Sequence, residues 1–288
     1  MIMLPQFPPF LVLDPMLQHW LLEDLGRGDR TTQNLDQVAT SIGEADWIAK
    51  ESGIVAGLPI AGRVFQLLDP QTTLIPKLAE GESCEPGQEI ATLKGSLAAL
   101  LMGERTALNL AMRLSGIATT TRQYVNEIAD LPTKLVDTRK TTPGLRLLEK
   151  YATQVGGAIN HRMGLDDAVM IKDNHIAAAG GIAAAIAQIR NRIPYPLTIE
   201  VETETLEQVQ AAIAQGADII MLDNMSPEQM QQAVQVIRQS NAQIKIEASG
   251  NVTLTTIRAI SETGVDYISS SAPITRSTWL DLSMRIRA

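Results

Sequence analysis

Aromatic side chains make up only 3% of this 288-residue chain, and Cys84 is the single cysteine. With so few rings, the core must be built from aliphatic side chains. With one thiol, no disulfide can form within the chain, and nothing argues for secretion. Cys84 has no neighbouring metal-ligand pattern, and in the polar run GESCEPG it reads as a tolerated loop cysteine. Excess positive charge is also missing: 24 Lys and Arg stand against 32 Asp and Glu, a net charge of −8. That excludes the broad basic field of a nucleic-acid-binding protein, so any anion site must be a local cluster working against the global sign. The apolar N-terminus MIMLPQFPPFLVLDP has no basic n-region and carries several prolines, so a signal peptide is not expected. The longest alanine-rich run, GGIAAAIAQI, is too short to span a bilayer. A cytoplasmic protein with neither a membrane nor a nucleic-acid partner is expected.

What is present divides the chain in two. Asp14-Pro15 followed by MLQHWLLEDL predicts a helix that opens at Asp14 and stops at Gly26. ADWIAKESGIVAG, TTLIPKLAEG and EIATLKG read as strands, and LPIAGRVFQLLD reads as a helix between them. A long helical stretch runs from Leu97 to about Asp130 and is expected to break into two helices at Gly116. After Pro132, six apolar strand signals alternate with helical ones, from KLVDT through DAVMIK, LTIEVE, DIIMLD and IKIEAS to DYISS. TWLDLSMRIR is expected to close the chain as a helix. The fold class is therefore α/β, with an N-terminal α+β sandwich domain with linking helix (residues 1–115) and an incomplete, about six-stranded parallel α/β barrel (116–275). Residues 276–288 would be a C-terminal helix returning to the first domain. An open doubly wound sheet is the alternative. The barrel is favoured because nearly every strand ends in a polar residue, Asp137, Lys172, Glu202, Asp223 or Ser249, and in a barrel those ends converge on one mouth.

Four cations fall at that mouth: Arg139 and Lys140 in DTRKTTPG, Arg162 beside His161 in GGAINHRMG, and Lys172 ending VMIK. Each has an ordinary reading by itself, as a solvated turn or a snorkelling lysine. Together, like charges crowd only where an anion compensates them, so the ligand should carry several negative groups. Arg105 in GERTALNL, taken alone, reads as a surface helix arginine. Glu202 and Asp223 supply carboxylates that can orient ribose hydroxyls or help hold a divalent cation. For Asp223 a helix-capping role remains open. Glu200 shares a strand face with Glu202 and, if buried, needs a partner. The small residues of EASGN (247–251) and ISSSAP (268–273) can expose backbone N–H groups to a phosphate.

DTRKTTPGLR, GGAINHRMGLDDAVMIKDNH, EVET, LDN and EASGN, together with LLEDLGRGDRTT and ERTALNLAMRLSGIAT, resemble the quinolinate phosphoribosyltransferases over nearly the whole chain. The resemblance implies transfer of phosphoribosyl from phosphoribosyl pyrophosphate to quinolinate, with magnesium, giving nicotinate mononucleotide, pyrophosphate and carbon dioxide in a homodimer. It implies a quinolinate pocket of Thr138, Arg139, His161, Arg162 and Lys172, with Arg105 donated by the neighbouring subunit. Lys140, Glu202 and Asp223 would act as the catalytic group on the phosphoribosyl pyrophosphate side. Glu202 and Asp223 would hold the metal directly or through water or substrate, and Ser249, Gly250, Asn251 and Ser271 would line the phosphate. The chain departs from the family where Ser271 and Asn251 replace frequent glycines. Two other readings are a nicotinate-type phosphoribosyltransferase and a non-catalytic barrel that binds phosphorylated metabolites. The acids opposite the cations speak against the latter.

Overall fold

In the computed structural model, residues 7–38 and 40–287 are described; the start of the N-terminal apolar segment, residues 1–6, lies outside them. The elements in chain order are α1 (Phe10–Leu25), β1 (Ile42–Ala49), β2 (Gly53–Ile54), α2 (Leu58–Leu68), β3 (Thr73–Pro76), β4 (Ser83–Cys84), β5 (Glu89–Ser96) and α3 (Leu97–Glu127). They continue with β6 (Lys134–Val136), α4 (Arg146–Gly156), β7 (Val169–Ile171), α5 (Asp173–Ala179), α6 (Ile182–Arg190), β8 (Ile199–Thr203), α7 (Leu206–Ala214), β9 (Ile219–Asp223) and α8 (Pro227–Ser240). The last are β10 (Lys245–Ser249), α9 (Ile257–Ser261), β11 (Tyr267–Ser269), α10 (Ala272–Thr275) and β12 (Leu282–Ile286). The chain divides into two compact units. One holds residues up to Arg122, Leu147–Gly157 and the residues from Arg276 on; the other holds Gln123–Arg146 and Ala158–Thr275. No helix among the described residues is long and apolar enough to cross a membrane.

The first unit is built on a four-stranded antiparallel sheet in the order β12-β1-β5-β3. Alternation along β1 buries Ala45, Trp47 and Ala49, and Trp47 meets Phe65 of α2 edge-on at 6.3 Å. Helix α1 buries Leu13, Leu17 and Leu21, one per turn. It begins earlier than its sequence suggests. Asp14 does not cap it but accepts both prongs of the Arg63 guanidinium, at 2.8 and 2.7 Å, while Pro15 sits inside the helix on its exposed side. Cys84 is buried in β4, not placed in a loop, and burial raises its thiol pKa above the ordinary value, so it is a core thiol.

Three further expectations are corrected in this unit. The C-terminal TWLDLSMRIR is not a helix. Its Leu282, Met284 and Ile286 alternate with polar residues, and β12 runs antiparallel to β1 from Ala45↔Ile286 to Ala49↔Leu282. Arg287 extends the pairing by reaching Asp46 at 2.7 Å and Glu44 at 2.9 Å. Helix α4, expected among the helices covering the barrel, groups instead with the first unit. There Tyr151 donates to Glu80 at 2.6 Å and Arg113 donates to the buried Glu149 at 2.7 Å. Gly116 does not break α3, which is one helix of 31 residues. The glycine is needed for close approach, because a Cβ there would lie 1.9 Å from the Thr278 carbonyl oxygen.

The second unit carries a six-stranded parallel sheet in the order β6-β11-β10-β9-β8-β7. The order is cyclic: the first strand in sequence lies beside the last, and the single break falls between β6 and β7. That is the order of a barrel left open at one seam, and it differs from the reversed order of a doubly wound sheet. At the seam, Ile159 bridges to Val136. The strands are not uniformly apolar. One face presents Leu135, Ile171, Ile199, Val201, Ile220, Leu222, Ile246, Ala248 and Ile268 to a core closed by Ile186, Val209, Ala233, Ile237 and Ile257 of the helices. By register, the other face carries Lys172, Glu200, Glu202, Asp223, Glu247, Ser249 and Ser269. Helices α7 and α8 start on capping boxes, Thr205 with Gln208 and Ser226 with Gln229.

The Gly116→Ala variant tests the close approach. Alanine favours a helix by about 1 kcal/mol over glycine, yet the overlap with the Thr278 carbonyl should outweigh this. The expected outcome is a lower melting temperature, corresponding to a net loss of roughly 1–3 kcal/mol. A melting temperature at or above wild type would show that the contact relaxes without cost.

Candidate active site

Parallel strands place all their C-terminal ends on one side, and the polar face of the second unit's sheet ends there in charge. Asp137, directly after β6, is buried and organises the loop that enters β7. Its two oxygens accept from the Asn160 side chain at 2.6 Å and from the His161 backbone N–H at 2.9 Å. The next residue continues the chain of contacts, since Arg162 N–H donates to His161 Nδ1 at 2.7 Å. A nitrogen that accepts cannot carry the proton, so neutral His161 bears its hydrogen on Nε2. That N–H faces Glu200 Oε2 at 3.2 Å and Glu247 Oε2 at 3.5 Å, on carboxylates that are both nearly fully buried.

The arginines crowd one another. Arg162 is half-buried, with Nη1 donating to the Ala168 carbonyl at 2.8 Å. Burial and then the adjacent Arg139 charge lower its proton affinity below that of an ordinary arginine. Arg139 has a buried Nε with no hydrogen-bond partner, and its side chain forms no ion pair among the described residues. Two guanidiniums that repel one another, one of them with an unmatched Nε, form a site that an anion would complete. Thr138 Oγ1 accepts the Lys140 N–H at 3.0 Å, and Lys140 stands exposed with no ion pair among the described residues. Lys172 donates to Glu202 in an ion pair, so the cation of the expected acid pocket and the acid of the expected ribose side are direct neighbours.

On the next strands, Asp223 Oδ2 accepts from Asn224 Nδ2 at 2.8 Å, and Ser226 caps α8. Helix capping therefore does not occupy Asp223. Asn224 lies at φ +53°, and its N–H donates to the Ser249 carbonyl at 3.0 Å, which ties the ends of β9 and β10 together. Gly250 is demanded twice: φ is +97°, and a Cβ would lie 2.2 Å from Asn224 Oδ1. Asn251 follows at φ +48°, a conformation that glycine adopts freely and asparagine tolerates. Ser271 is half-buried just before α10, and its carbonyl accepts from Ile274 and Thr275. Arg105 belongs to the first unit, where it is exposed on α3.

Glu247 and Asn160 were not singled out from the sequence. The signal for Glu247 was available: IKIEAS alternates as strictly as LTIEVE, which places Glu247 on the same face as Glu200 and Glu202. His161, Glu200 and Glu247 are also close enough to suggest a metal site, each offering one ligand atom within 4.8 Å of the others. The tautomer speaks against that, because Nε2 needs its lone pair to ligate and here carries the hydrogen.

Comparisons with known proteins agree with the fold and the motifs. Residues 29–115 match the quinolinate phosphoribosyl transferase N-terminal domain, and residues 117–285 match the C-terminal domain. The chain belongs to the quinolinate phosphoribosyltransferase family. It is 61% identical over 279 residues to a probable nicotinate-nucleotide pyrophosphorylase (carboxylating) of Synechocystis, covering 97% of this chain and 94% of the relative. It is 47% identical over 276 residues to the corresponding Bacillus subtilis protein, covering 96% and 94%. The crystal structure of NadC from Streptococcus pyogenes superposes with a TM-score of 0.91 at 42% identity, covering 97% of this chain and 98% of that one.

Burial and then the nearby Glu200 push Glu247 up from its ordinary 4.5 to about 7. An acid whose pKa is raised by folding binds more protons in the folded state, so its contribution to stability falls as pH rises from about 4.5 through about 7. Glu247→Gln removes that dependence. The melting temperature of the variant minus that of wild type should climb across this window and level off above it. A flat difference would show that Glu247 ionises at no cost inside the fold.

Proposed function

We propose that this chain transfers the phosphoribosyl group of phosphoribosyl pyrophosphate to quinolinate with loss of one carboxylate, giving nicotinate mononucleotide, pyrophosphate and carbon dioxide for NAD biosynthesis. The observation that carries the reading is the crowded pair Arg139 and Arg162, with the unmatched Arg139 at its centre. Two adjacent forks suit a ligand with two carboxylates, and quinolinate has two on adjacent ring carbons. Family membership supports the same reaction.

In this reading, Thr138, Arg139, His161, Arg162 and Lys172 hold quinolinate and aim its ring nitrogen at the anomeric carbon. Breaking the bond to pyrophosphate builds negative charge on the leaving group, and the exposed Lys140 offers a mobile cation to meet it. Positive charge develops on the ribose, and Glu202 and Asp223 stabilise and orient it from adjacent strands. Ser249, Gly250, Asn251 and Ser271 line the phosphate edge, where the left-handed turn at Gly250 and Asn251 keeps the backbone close. Carbon dioxide then leaves from the carbon beside the alkylated, positively charged nitrogen, which stabilises the electron pair left behind until that carbon takes up a proton from water.

Magnesium fits the donor set. Glu202 and Asp223 lie on one face of neighbouring strands, as register pairs Glu202 with Met221 and Asp223 follows two residues on. Their hard oxygens suit a magnesium ion held through water or substrate. When bound, it would supply charge stabilisation for the departing pyrophosphate. The enzyme is read as a cytoplasmic homodimer in which Arg105, exposed and without an ion pair among the described residues, completes the neighbour's quinolinate pocket.

Incubation with phosphoribosyl pyrophosphate, magnesium and either pyridine acid tests the substrate. Quinolinate should release pyrophosphate and carbon dioxide, and nicotinate should react poorly. Losing one carboxylate leaves a desolvated cation unmatched, at a cost of a few kcal/mol, or roughly a hundredfold in kcat/KM. Comparable values for the two acids would move the assignment to a nicotinate-type enzyme, and no turnover of either would favour a binding protein.

The shared site is tested by mixing subunits. Arg105→Ala and Lys140→Ala homodimers should each be nearly inactive. Mixed dimers should recover activity, because one of their two sites receives both wild-type residues. Verified subunit exchange without recovery would remove Arg105 from the partner's site.

A further inference from the structure

We propose that Glu200 and Glu247 are positioning residues that act through His161 to set Arg162 for carboxylate recognition. The inference rests on the reading of Arg139 and Arg162 as the acid pocket and extends it to two buried acids that the reaction itself does not call upon.

Glu200 and Glu247 belong to β8 and β10, which are separated by β9 and offset in register by two residues, so their backbones stand two strand spacings, more than about 9 Å, apart. Their side chains nevertheless converge on a single N–H: His161 Nε2 lies 3.2 Å from one carboxylate and 3.5 Å from the other. In the middle strand, Glu200 pairs with Ile219 and Glu247 with Met221, so β9 places no third charge between them. Two carboxylates buried side by side repel one another, and nothing in the packing of aliphatic residues calls for them. Their second oxygens, Glu200 Oε1 and Glu247 Oε1, are buried without a hydrogen-bond partner. A pair retained at that cost is explained by what its inner oxygens do, which is to hold the imidazole hydrogen inward.

The consequence passes to the other ring nitrogen. With the hydrogen fixed on Nε2, Nδ1 keeps its lone pair and accepts the Arg162 backbone N–H at 2.7 Å. In the opposite tautomer two hydrogens would face each other there, and the Arg162 backbone would have to move. The flanking contacts leave little freedom to absorb such a shift. Asp137 pins Asn160 and the His161 N–H, and Arg162 Nη1 is already committed to the Ala168 carbonyl. The groups facing the two acids are His161 from the loop before β7, Lys172 from the end of β7 and Ser269 from β11, with Arg162 acting at longer range on Glu200.

The test compares two double variants of the full-length protein with wild type. Glu200→Gln with Glu247→Gln keeps an acceptor at each position and removes the charge. Glu200→Leu with Glu247→Leu removes the acceptors. Selective ¹⁵N labelling of the three histidines, with His161 assigned by its loss in His161→Asn, reads the tautomer in the absence of substrate. Wild type and the Gln pair should show hydrogen on Nε2, with the KM for quinolinate within about threefold of each other. The Leu pair should show a tautomer mixture and a quinolinate KM raised at least about tenfold, with the KM for phosphoribosyl pyrophosphate little changed. Hydrogen on Nδ1 in wild type overturns the proposal. So does a Leu pair with wild-type tautomer and KM, or a Gln pair that keeps the tautomer but loses quinolinate affinity, which would show that charge is what matters. If the Leu pair does not fold, wild type and the Gln pair still decide. Because the tautomer is read without turnover, failure of the proposed reaction would leave that measurement standing and be recognised separately.

Discussion

Charge held on the inner face of a parallel sheet is the constraint around which the second unit is organised. Each strand of this sheet has an aliphatic face toward the helices and, by strict alternation, an opposite face that must go somewhere. In a closed barrel that face is filled by interlocking apolar side chains. Here it carries Glu200, Glu202, Asp223 and Glu247, and burying carboxylates is costly unless partners are supplied. The partners come from the first two strands and their loops: Lys172 for Glu202, and His161 for Glu200 and Glu247. The open seam between β6 and β7 is where those loops enter, so the break in the sheet and the cations that answer its acids belong to the same stretch of chain.

That arrangement explains why the motifs were readable. DTRKTTPG and NHRMG must bring cations to fixed places, and their residue types declare the task even without a structure. The strand ends were legible too, because a parallel sheet needs its strands to stop in polar residues on one side. Glu247 was hidden for an opposite reason. It lies inside a strand, where an acid between isoleucine and alanine looks like a surface residue unless the alternation is followed across all the strands at once.

The errors in the first unit have a common physical cause, since each concerns a residue whose role is set by a distant neighbour. Gly116 has the low helix propensity that suggests a break, but the helix continues and the missing Cβ admits the Thr278 carbonyl. Asp14 has the form of a cap, but Arg63, distant in sequence, takes both its oxygens. The C-terminal segment has apolar residues that suit either period, and the free edge of β1 decided for the strand. Helix α4 follows the first strand of the sheet, yet Glu80, Arg113 and Arg122 hold it in the other unit. Local propensity cannot report contacts of that separation.

The net charge of −8 gains meaning from this layout. An acidic protein that binds acidic substrates must confine its attraction to one place, or the general field would repel them. Of the mouth cations, Lys172 is neutralised by Glu202, Arg139 and Lys140 have no ion pair among the described residues, and Arg162 is disfavoured by burial and by Arg139 while Glu200 and Asp167 offset part of this. The charge without an ion pair is thus concentrated on one loop, at residues 139 and 140. The acids that could have cancelled it are held back by His161 and Lys172. Each of these carboxylates thus meets a cation or an N–H other than the two arginines. On this view the buried acids matter as much for where they are kept from pointing as for what they touch.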